Sequence, residues 1–352
     1  MVKIYKMSNK IFALDIYKAL AAVMVIIIHI TATPVVSLTT GNALGFFLVI
    51  NRLAKPSVPM FVFASGLALF YVYKDRQFNF IEFIKKRFLK ILIPYLFFCI
   101  VYYSYFVYAG VYAFSFEFLL KSIVTGTLIY HLYFVIIIIQ FYLLYWIFHS
   151  LVKNFSPLII LPLTALIAIA SIILVPSNYV GSFFGTYTTY FVLGCYFGKN
   201  YNKVIELIYK FKWIILMFFV IMGGIYTYQF YGAIVLKEGY RFINDAYAYY
   251  IFSTIAVISY FIIADLIEKA YVNGKIRGTR NLLINISGAS YYIYLAHPLG
   301  IIAGVSISSR MGISGVIDQM LISLAIIVVF IIPLSISYVK LKGRYRKLRK
   351  GK

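Results

Sequence analysis

Charged side chains are scarce in this chain, and acidic ones are the scarcest. Asp, Glu, Lys and Arg make up only 12% of the 352 residues, and 10 acidic residues stand against 33 basic ones. Hydrophobic residues make up 63%, which is typical of a polytopic membrane protein and excludes an ordinary soluble domain. The basic residues lie in short segments between apolar runs, as the positive-inside rule requires, so we expect no nucleic-acid partner.

The sequence also lacks the motifs of several enzyme classes. Its two cysteines, Cys99 and Cys195, lie in apolar runs, where we expect neither a disulfide nor a metal role. It has no P-loop, dinucleotide fingerprint, Cys/His metal cluster or nucleophile-elbow serine. No outer loop is longer than about 25 residues, so we expect no soluble catalytic domain, and any chemistry must occur within the membrane bundle.

Apolar windows of about 20 residues predict an all-α, polytopic membrane helix bundle with about ten transmembrane helices. The predicted spans are 12–32, 54–73, 89–109, 129–150, 157–175, 184–198, 213–231, 247–267, 285–307 and 317–339. The sixth is short and contains Gly185, Gly194 and Gly198. The basic N-terminus resembles a signal peptide, but the first apolar run is too long and contains charges, which predicts a retained span.

Basic residues are distributed unevenly between the predicted loops. With the N-terminus inside, 26 of the 33 Lys and Arg residues fall on the cytoplasmic side. The outer segments contain Arg52, Lys55, Lys121, Lys237, Arg241 and Arg310. This asymmetry predicts two cytoplasmic termini. We divide the chain into a membrane domain, 1–340, and a basic cytoplasmic tail, 341–352, which we expect to contact anionic membrane lipids.

Three ionisable residues lie in the first apolar run, LDIYKALAAVMVIIIHITA (14–32): Asp15, Lys18 and His29. Such residues are costly within a membrane and mark sites that face a protein interior or a wet cavity. Lys18 and His29 lie on one helix face, roughly 16 Å apart along the axis, and Asp15 is one turn before Lys18. An interfacial anchor would explain Asp15 and Lys18 but not His29. The pattern favours a functional stripe, with His29 suited to general-base catalysis.

The other histidines allow two interpretations. His131 begins the fourth span and His297 lies within the ninth, and each is compatible with a structural or a functional role. The predicted topology places His29 and His131 in the outer half of the membrane, where they could share an outward-facing cavity. His149 ends the fourth span, and we interpret it as an interfacial residue.

A basic pair lies on the predicted cytoplasmic side. Arg87 and Lys90, in RFLKILIPY, project from one helix face one turn apart. They are either an ordinary positive-inside cluster or a clamp for a phosphate-bearing ligand. Ser65 and Gly66, in VPMFVFASGLAL, are small residues that permit close helix approach. We include Ser65, His131 and His297 as candidate substrate-binding residues.

Five motifs in order resemble those of the integral-membrane acyltransferase-3 family. LDIYKALAAVMVIIIH resembles its first-helix signature, in which Arg or Lys precedes His by eleven positions, and RFLKILIPY resembles its Arg-x-x-Arg motif. VPMFVFASGLAL, YHLYFV and SYYIYLAHPLG resemble its second, fourth and late helices. Lys18 stands where Arg is often found, and Lys90 replaces the second Arg of the pair; both keep the charge but lose the bidentate fork.

The resemblance implies a bacterial plasma-membrane O-acyltransferase. Such an enzyme moves an acyl group, acetyl or succinyl, from cytoplasmic acyl-CoA to a hydroxyl of a cell-envelope carbohydrate or glycolipid. Carried over, His29 is the catalytic base, Lys18 its helix partner, and Arg87 and Lys90 meet the CoA phosphates. Asp15 and Lys18 would line the donor channel. No metal is expected, and the oligomeric state is not predicted.

Two other functions are compatible with the sequence. The first is a polysaccharide exporter of the poly-N-acetylglucosamine type, because ten spans around a polar stripe suit transport as well as catalysis. The second is a structural subunit of a membrane synthase, which would leave His29 and the Arg87–Lys90 pair without a role. His29→Ala discriminates between enzyme and exporter: loss of acyl transfer with normal polymer secretion indicates the first, and loss of surface polymer the second.

Overall fold

The structure, a computed structural model, describes residues 11–38, 41–75, 78–240, 242–274 and 278–350. Across these ranges the chain is helical and contains no β-strand. The α-helices are α1 Phe12–Ile30, α2 Ala32–Ser37, α3 Asn42–Ala54, α4 Ser57–Tyr73, α5 Phe80–Tyr108, α6 Phe116–Thr125, α7 Tyr133–Leu143, α8 Tyr145–Asn154, α9 Pro157–Leu174, α10 Ser177–Val180, α11 Thr188–Lys199, α12 Tyr201–Ile234, α13 Asp245–Val272, α14 Arg280–Arg310, α15 Val316–Ile326 and α16 Ile332–Lys350. A 3₁₀ turn at Phe184–Tyr187 precedes α11, and a π-helical segment at Ile327–Ile331 joins α15 to α16.

Seven segments of the described ranges are long and apolar enough to cross a membrane. They are Phe12–Ser37, Asn42–Tyr73, Phe80–Tyr108, Pro157–Leu174, Asp245–Val272, Arg280–Arg310 and Val316–Leu348. The pair α7 and α8, bent by 58°, makes an eighth if it counts as one span. The predicted all-α membrane bundle is confirmed. The number of ten spans and the cytoplasmic termini stay predictions, and Lys3, Lys6 and Lys10, used for the topology, lie outside the described residues.

Helix α1 lies at the centre of the bundle and packs against α4, α13 and α14. Its small residues, such as Ala19 and Ala22, are fully or almost fully buried, which lets the neighbouring helices approach. The Tyr17 hydroxyl donates to the Val257 carbonyl on α13 at 3.1 Å. The backbone N–H of Ala13, one of the free donors at the helix start, donates to Glu268 Oε2 at 3.0 Å. These bonds fix the rotation of α1 and hence the direction of its polar stripe.

The glycines of the sixth predicted span lie at a close contact between two helices. Helix α11 has 12 residues and packs closely along α4. A Cβ on Gly66 would overlap the Phe191 carbonyl oxygen, and one on Gly194 would overlap that of Phe63. At Gly198 the distance from such a Cβ to the Leu67 oxygen would be 2.6 Å. The glycines therefore form a seam of direct backbone contact between α4 and α11.

Two expectations from the sequence differ from the structure. Arg52 does not lie in a loop, and Lys55 lies in the two-residue turn between α3 and α4. Arg52 is in the last turn of α3, is only 5% exposed, and α4 begins almost immediately after it, because Asn42–Tyr73 forms one apolar segment. At the other end of the chain, α16 continues through Lys340 to Lys350, so the proposed boundary of the basic tail falls inside a helix. The domain division itself stays a prediction.

Candidate active site

A cavity of about 420 Å³ contains His29 and His131 in its wall, and we call it the histidine cavity. It lies between α1, the α3–α4 junction, the segment before α7, and the start of α13. Tyrosines dominate the rest of its lining: Tyr130, Tyr133, Tyr187, Tyr226, Tyr249 and Tyr294. The two histidines expected to share a cavity are thus brought together.

His297 completes a cluster of three imidazole rings. Its ring centroid lies 5.2 Å from that of His29, with 26° between the planes, and 5.3 Å from that of His131. His29 also contacts the Tyr130 ring at 4.5 Å between centroids. His131 and His297 are buried, whereas His29 is partly exposed at the cavity wall. His29 and His131 both line the cavity, and His29 is the more exposed of the two rings to a ligand there.

The protonation of His297 follows from its hydrogen bond. Its Nδ1 lies 2.7 Å from the backbone oxygen of Tyr294, one turn earlier on α14. Because a carbonyl oxygen only accepts, Nδ1 carries the proton, and Nε2 of the neutral ring is an acceptor. Nε2 is buried and has no hydrogen-bond partner among the described residues. His297 is thus held in one orientation beside His29 with an acceptor nitrogen unused.

Charged side chains line another part of the histidine cavity. Arg52 donates to the Tyr226 hydroxyl at 2.9 Å and lies 3.7 Å from Asp245 Oδ1. Its guanidinium carbon also lies 2.8 Å from the centre of the Phe230 ring, a cation–π contact. Lys55 also lines the histidine cavity. The sequence did not predict this role, because Arg52 and Lys55 were counted as loop charges. Their position directly before an apolar helix could have indicated that they are at least partly buried.

A second cavity, of about 400 Å³, contains the basic residues of the predicted donor side, and we call it the Lys18 cavity. Lys18, Arg87 and Lys90 all line it, although they come from α1 and α5. Aromatic and aliphatic side chains of α4, α7 and α14 form the remaining walls. Three cations around one cavity fit a ligand with several negative charges.

Asp15 acts on Lys18 and does not itself line the Lys18 cavity. Its Oδ1 lies 3.0 Å from Lys18 Nζ and accepts a hydrogen bond from the Ser287 hydroxyl at 2.8 Å. Ser65, predicted to bind substrate, lies in the wall of the Lys18 cavity and not beside the histidines. Lys18 and His29 are thus not in contact; they occupy two cavities along one helix.

Tyr294 lines both cavities. Its ring centroid lies 5.2 Å from that of His131 and 5.1 Å from that of Phe134. The phenolic oxygen is buried and makes no hydrogen bond with any described residue. The sequence places Tyr294 one turn before His297, but nothing in the local pattern indicates that it stands where two cavities meet.

A third cavity, of about 620 Å³, adjoins the histidine cavity, with which it shares Tyr187, Ala246 and Tyr249. We call it the tyrosine cavity because it also contains Tyr190, Tyr247 and Tyr250. Rings with an apolar face and a polar hydroxyl suit ligands that have both apolar and hydroxylated surfaces. A ligand in the histidine cavity could therefore extend into this neighbouring space.

The fourth histidine lies apart from the other three. His149 is stacked against Phe70 and Phe78, with centroid distances of 5.2 and 5.5 Å, and lines none of the three cavities. Over the described ranges, no group of three or more His, Cys, Asp or Glu side chains is arranged to hold a metal ion.

Comparison with known protein families identifies the chain. A family model described as an acyltransferase domain, that of the acyltransferase-3 family, matches residues 11–339. Comparisons with curated proteins and with solved structures returned no match. The family match covers the helices that build all three cavities. The chain therefore belongs to the acyltransferase-3 family and is a multi-pass membrane acyltransferase.

Proposed function

We propose that the protein transfers an acetyl or succinyl group from cytoplasmic acyl-CoA to a hydroxyl of a cell-envelope or exported carbohydrate, with His29 as the general base. The proposal places the protein in a bacterial plasma membrane, with the Lys18 cavity towards the cytoplasm. The observation that carries it is the pair of cavities that share Tyr294, one basic and one lined by histidines. Two substrates that enter from opposite sides could meet there.

The Lys18 cavity supports an acyl-CoA donor. CoA carries several phosphate charges, and Arg87, Lys90 and Lys18 supply cations around one space. Arg87 lies at the start of the apolar part of α5, close to the expected membrane surface. In the proposed complex the nucleotide binds at Arg87 and Lys90, and the pantetheine arm extends past Ser65 towards Tyr294.

The tyrosine cavity supports a carbohydrate or glycolipid acceptor. It is continuous in its lining with the histidine cavity through Tyr187 and Tyr249. Tyrosine rings offer flat apolar faces together with hydroxyl groups, which match the mixed surface of a sugar ring. The acylated sugar unit would lie beside His29, and its neighbouring unit would lie among the tyrosines.

The proposed reaction needs one proton acceptor and no redox step. His29 accepts the proton of the acceptor hydroxyl as its oxygen attacks the thioester carbon. The new C–O bond forms, the C–S bond breaks, and the CoA thiolate takes the proton from His29. His297, held by the Tyr294 carbonyl, supports the His29 ring in the orientation needed for this transfer.

The test uses purified protein in nanodiscs with radiolabelled acetyl-CoA or succinyl-CoA and cell-envelope carbohydrate. We compare the wild type with His29→Ala and with His149→Ala, a histidine outside the cavities. Label transfer that disappears only in His29→Ala supports the proposal. Wild-type protein that neither binds acyl-CoA nor transfers label with any acceptor contradicts it, and polymer secretion lost in His29→Ala cells would then favour the exporter.

A further inference from the structure

The charges of the histidine cavity do not balance. Arg52 and Lys55 contribute two cations, and Asp245 is the single carboxylate in the described lining. That carboxylate lies 3.7 Å from Arg52, and its buried Oδ1 accepts no hydrogen bond from a described residue. No hydrogen bond or ion pair of Lys55 occurs within the described ranges, although the side chain lies in an apolar membrane segment. One carboxylate shared by two cations leaves a net positive charge, which is costly in such a place.

Arg52 has unused capacity as well. The residue is only 5% exposed, and its guanidinium group is fixed by Tyr226, Asp245 and Phe230. Its Nε is buried and has no hydrogen-bond partner in the described part of the chain. A fixed guanidinium with a free N–H, beside an ammonium that makes no hydrogen bond to a described residue, is an arrangement that receives an anion.

We propose that the acceptor carries an anionic group, a phosphate or a carboxylate, which binds between Lys55 and Arg52 while its hydroxyl lies at His29. The inference rests on the proposed acyl transfer, since it names the class of acceptor for the same cavity. His29 and Lys55 line one space of about 420 Å³, so charge and hydroxyl belong to the same sugar unit or to adjacent ones. The anion compensates Lys55 and completes the hydrogen bonding of Arg52.

The proposed anion site can be tested by measuring the binding of three small sugars to the full chain, which requires no turnover. N-acetylglucosamine is neutral, its 1-phosphate carries a phosphate, and N-acetylmuramic acid carries a carboxylate. Calorimetry with protein in phosphatidylcholine nanodiscs should give a Kd at least tenfold lower for a charged sugar than for the neutral one. Which charged sugar binds better distinguishes phosphate from carboxylate. Lys55→Met should remove the preference, and Lys55→Arg should retain it.

Lys121→Met is the matched control, because Lys121 is an exposed lysine of α6 that lines none of the cavities. It should leave the preference unchanged. Equal binding of the three sugars by the wild type, or a preference that survives Lys55→Met, would overturn the inference. Charge-dependent binding without acyl transfer would support the anion site and contradict the proposed function. Acyl transfer to the neutral sugar, without any preference for charged sugars, would support the proposed function and contradict the anion site.

A different observation assigns a role to Tyr294. Its hydroxyl is a buried donor without a partner, and it belongs to the residue that lines both the Lys18 cavity and the histidine cavity. A thioester that arrives from one cavity and a hydroxyl that arrives from the other meet beside it. We infer that the Tyr294 O–H donates to the carbonyl oxygen of the thioester as that oxygen gains negative charge, and holds it until the C–S bond breaks.

The test is Tyr294→Phe, which keeps the ring and breaks no existing hydrogen bond. We expect kcat to fall by about 10²-fold to 10³-fold, with KM for acyl-CoA and the thermal midpoint unchanged. Tyr145→Phe is the matched control: the Tyr145 hydroxyl is also buried without a partner, but it lines none of the cavities. A kcat within threefold of wild type in Tyr294→Phe, or a rise in KM that accounts for the whole loss, would overturn the role. A wild type without turnover would overturn this role and the acyl-transfer scheme together.

Discussion

The rings of His29 and His297 stack with their centroids 5.2 Å apart, although the two residues lie near opposite ends of the chain. His297 is fixed by its hydrogen bond to the Tyr294 carbonyl, whereas the His29 ring makes no hydrogen bond with any residue that the structure describes. The orientation of His29 therefore depends on ring contacts with His297 and Tyr130.

This dependence predicts the effect of His297→Phe. The phenyl ring keeps the stacking surface but loses the nitrogen that holds the ring to α14. A general base displaced by even 1 Å can lose about 10²-fold in rate, so we expect kcat to fall by about tenfold to a hundredfold. Steady-state transfer at saturating acetyl-CoA and acceptor measures kcat. His149→Phe, at a histidine stacked elsewhere, should retain full activity; equal activity in both variants would show that ring stacking alone suffices.

The second prediction concerns the donor. Arg87→Met should raise KM for acetyl-CoA by about tenfold or more, because a hydrogen bond to a charged group contributes about 1.5–3 kcal/mol. Lys203→Met, at an exposed lysine of α12, should leave KM unchanged. Acetyl-dephospho-CoA lacks the ribose phosphate. If Arg87 binds that phosphate, wild type and Arg87→Met should have similar KM values for this donor. An unchanged KM in Arg87→Met would make the residue an ordinary positive-inside charge.

The third prediction concerns the support of Lys18. Asp15 pairs with Lys18 at 3.0 Å and accepts from Ser287 at 2.8 Å. Asp15→Asn keeps the shape but removes the charge. Because both side chains of the pair are 25–30% exposed, the pair contributes about 1 kcal/mol or less, and we expect KM for acyl-CoA to change by up to about fivefold. Ser287→Ala should have a smaller effect. A loss of kcat at constant KM in Asp15→Asn would instead place Asp15 in the chemical step.

The fourth prediction tests the glycine seam between α4 and α11. Gly66→Ala adds a Cβ that overlaps the Phe191 carbonyl oxygen, so the helices must separate. We expect a destabilisation of about 1–3 kcal/mol, measured by thermal unfolding in detergent. Gly224→Ala on α12 is the control, because no atom lies within 4 Å of its added Cβ. It should be neutral or stabilising by up to about 1 kcal/mol. Equal midpoints for the two variants would mean that the seam tolerates separation.

The sequence was sufficient for features that depend on local pattern. Apolar runs and charge asymmetry predicted the all-α membrane class, and the spacing of Lys18 and His29 predicted one stripe along one helix. The neighbourhood of Arg87 and Lys90 could be inferred for the same reason. Each of these relationships depends on residues close together in the chain, where helical periodicity fixes the geometry.

Features that depend on tertiary contact could not be predicted in this way. Arg52 looked like a loop charge because its partners, Tyr226 and Asp245, lie on α12 and α13. The sequence indicated that Ser65 binds substrate but not which cavity it lines, and the fold places it in the Lys18 cavity. The position of Tyr294 between two cavities results from how α14 sits against α1 and α7, which no periodicity specifies.

The glycine seam has a consequence for how this protein can diversify. Helix α4 contributes Ser57 and Val58 to the histidine cavity and Ser65 to the Lys18 cavity, so a single rigid helix sets the spacing between the two. Backbone contact along α11 leaves that helix no freedom to slide. Tyr247 and Tyr249, which line the tyrosine cavity, belong to α13, a helix that is not part of this seam. Under the proposed function, substitution of these tyrosines alters which acceptor binds while the spacing between the Lys18 cavity and His29 stays constant, so substrate range and chemistry can evolve separately.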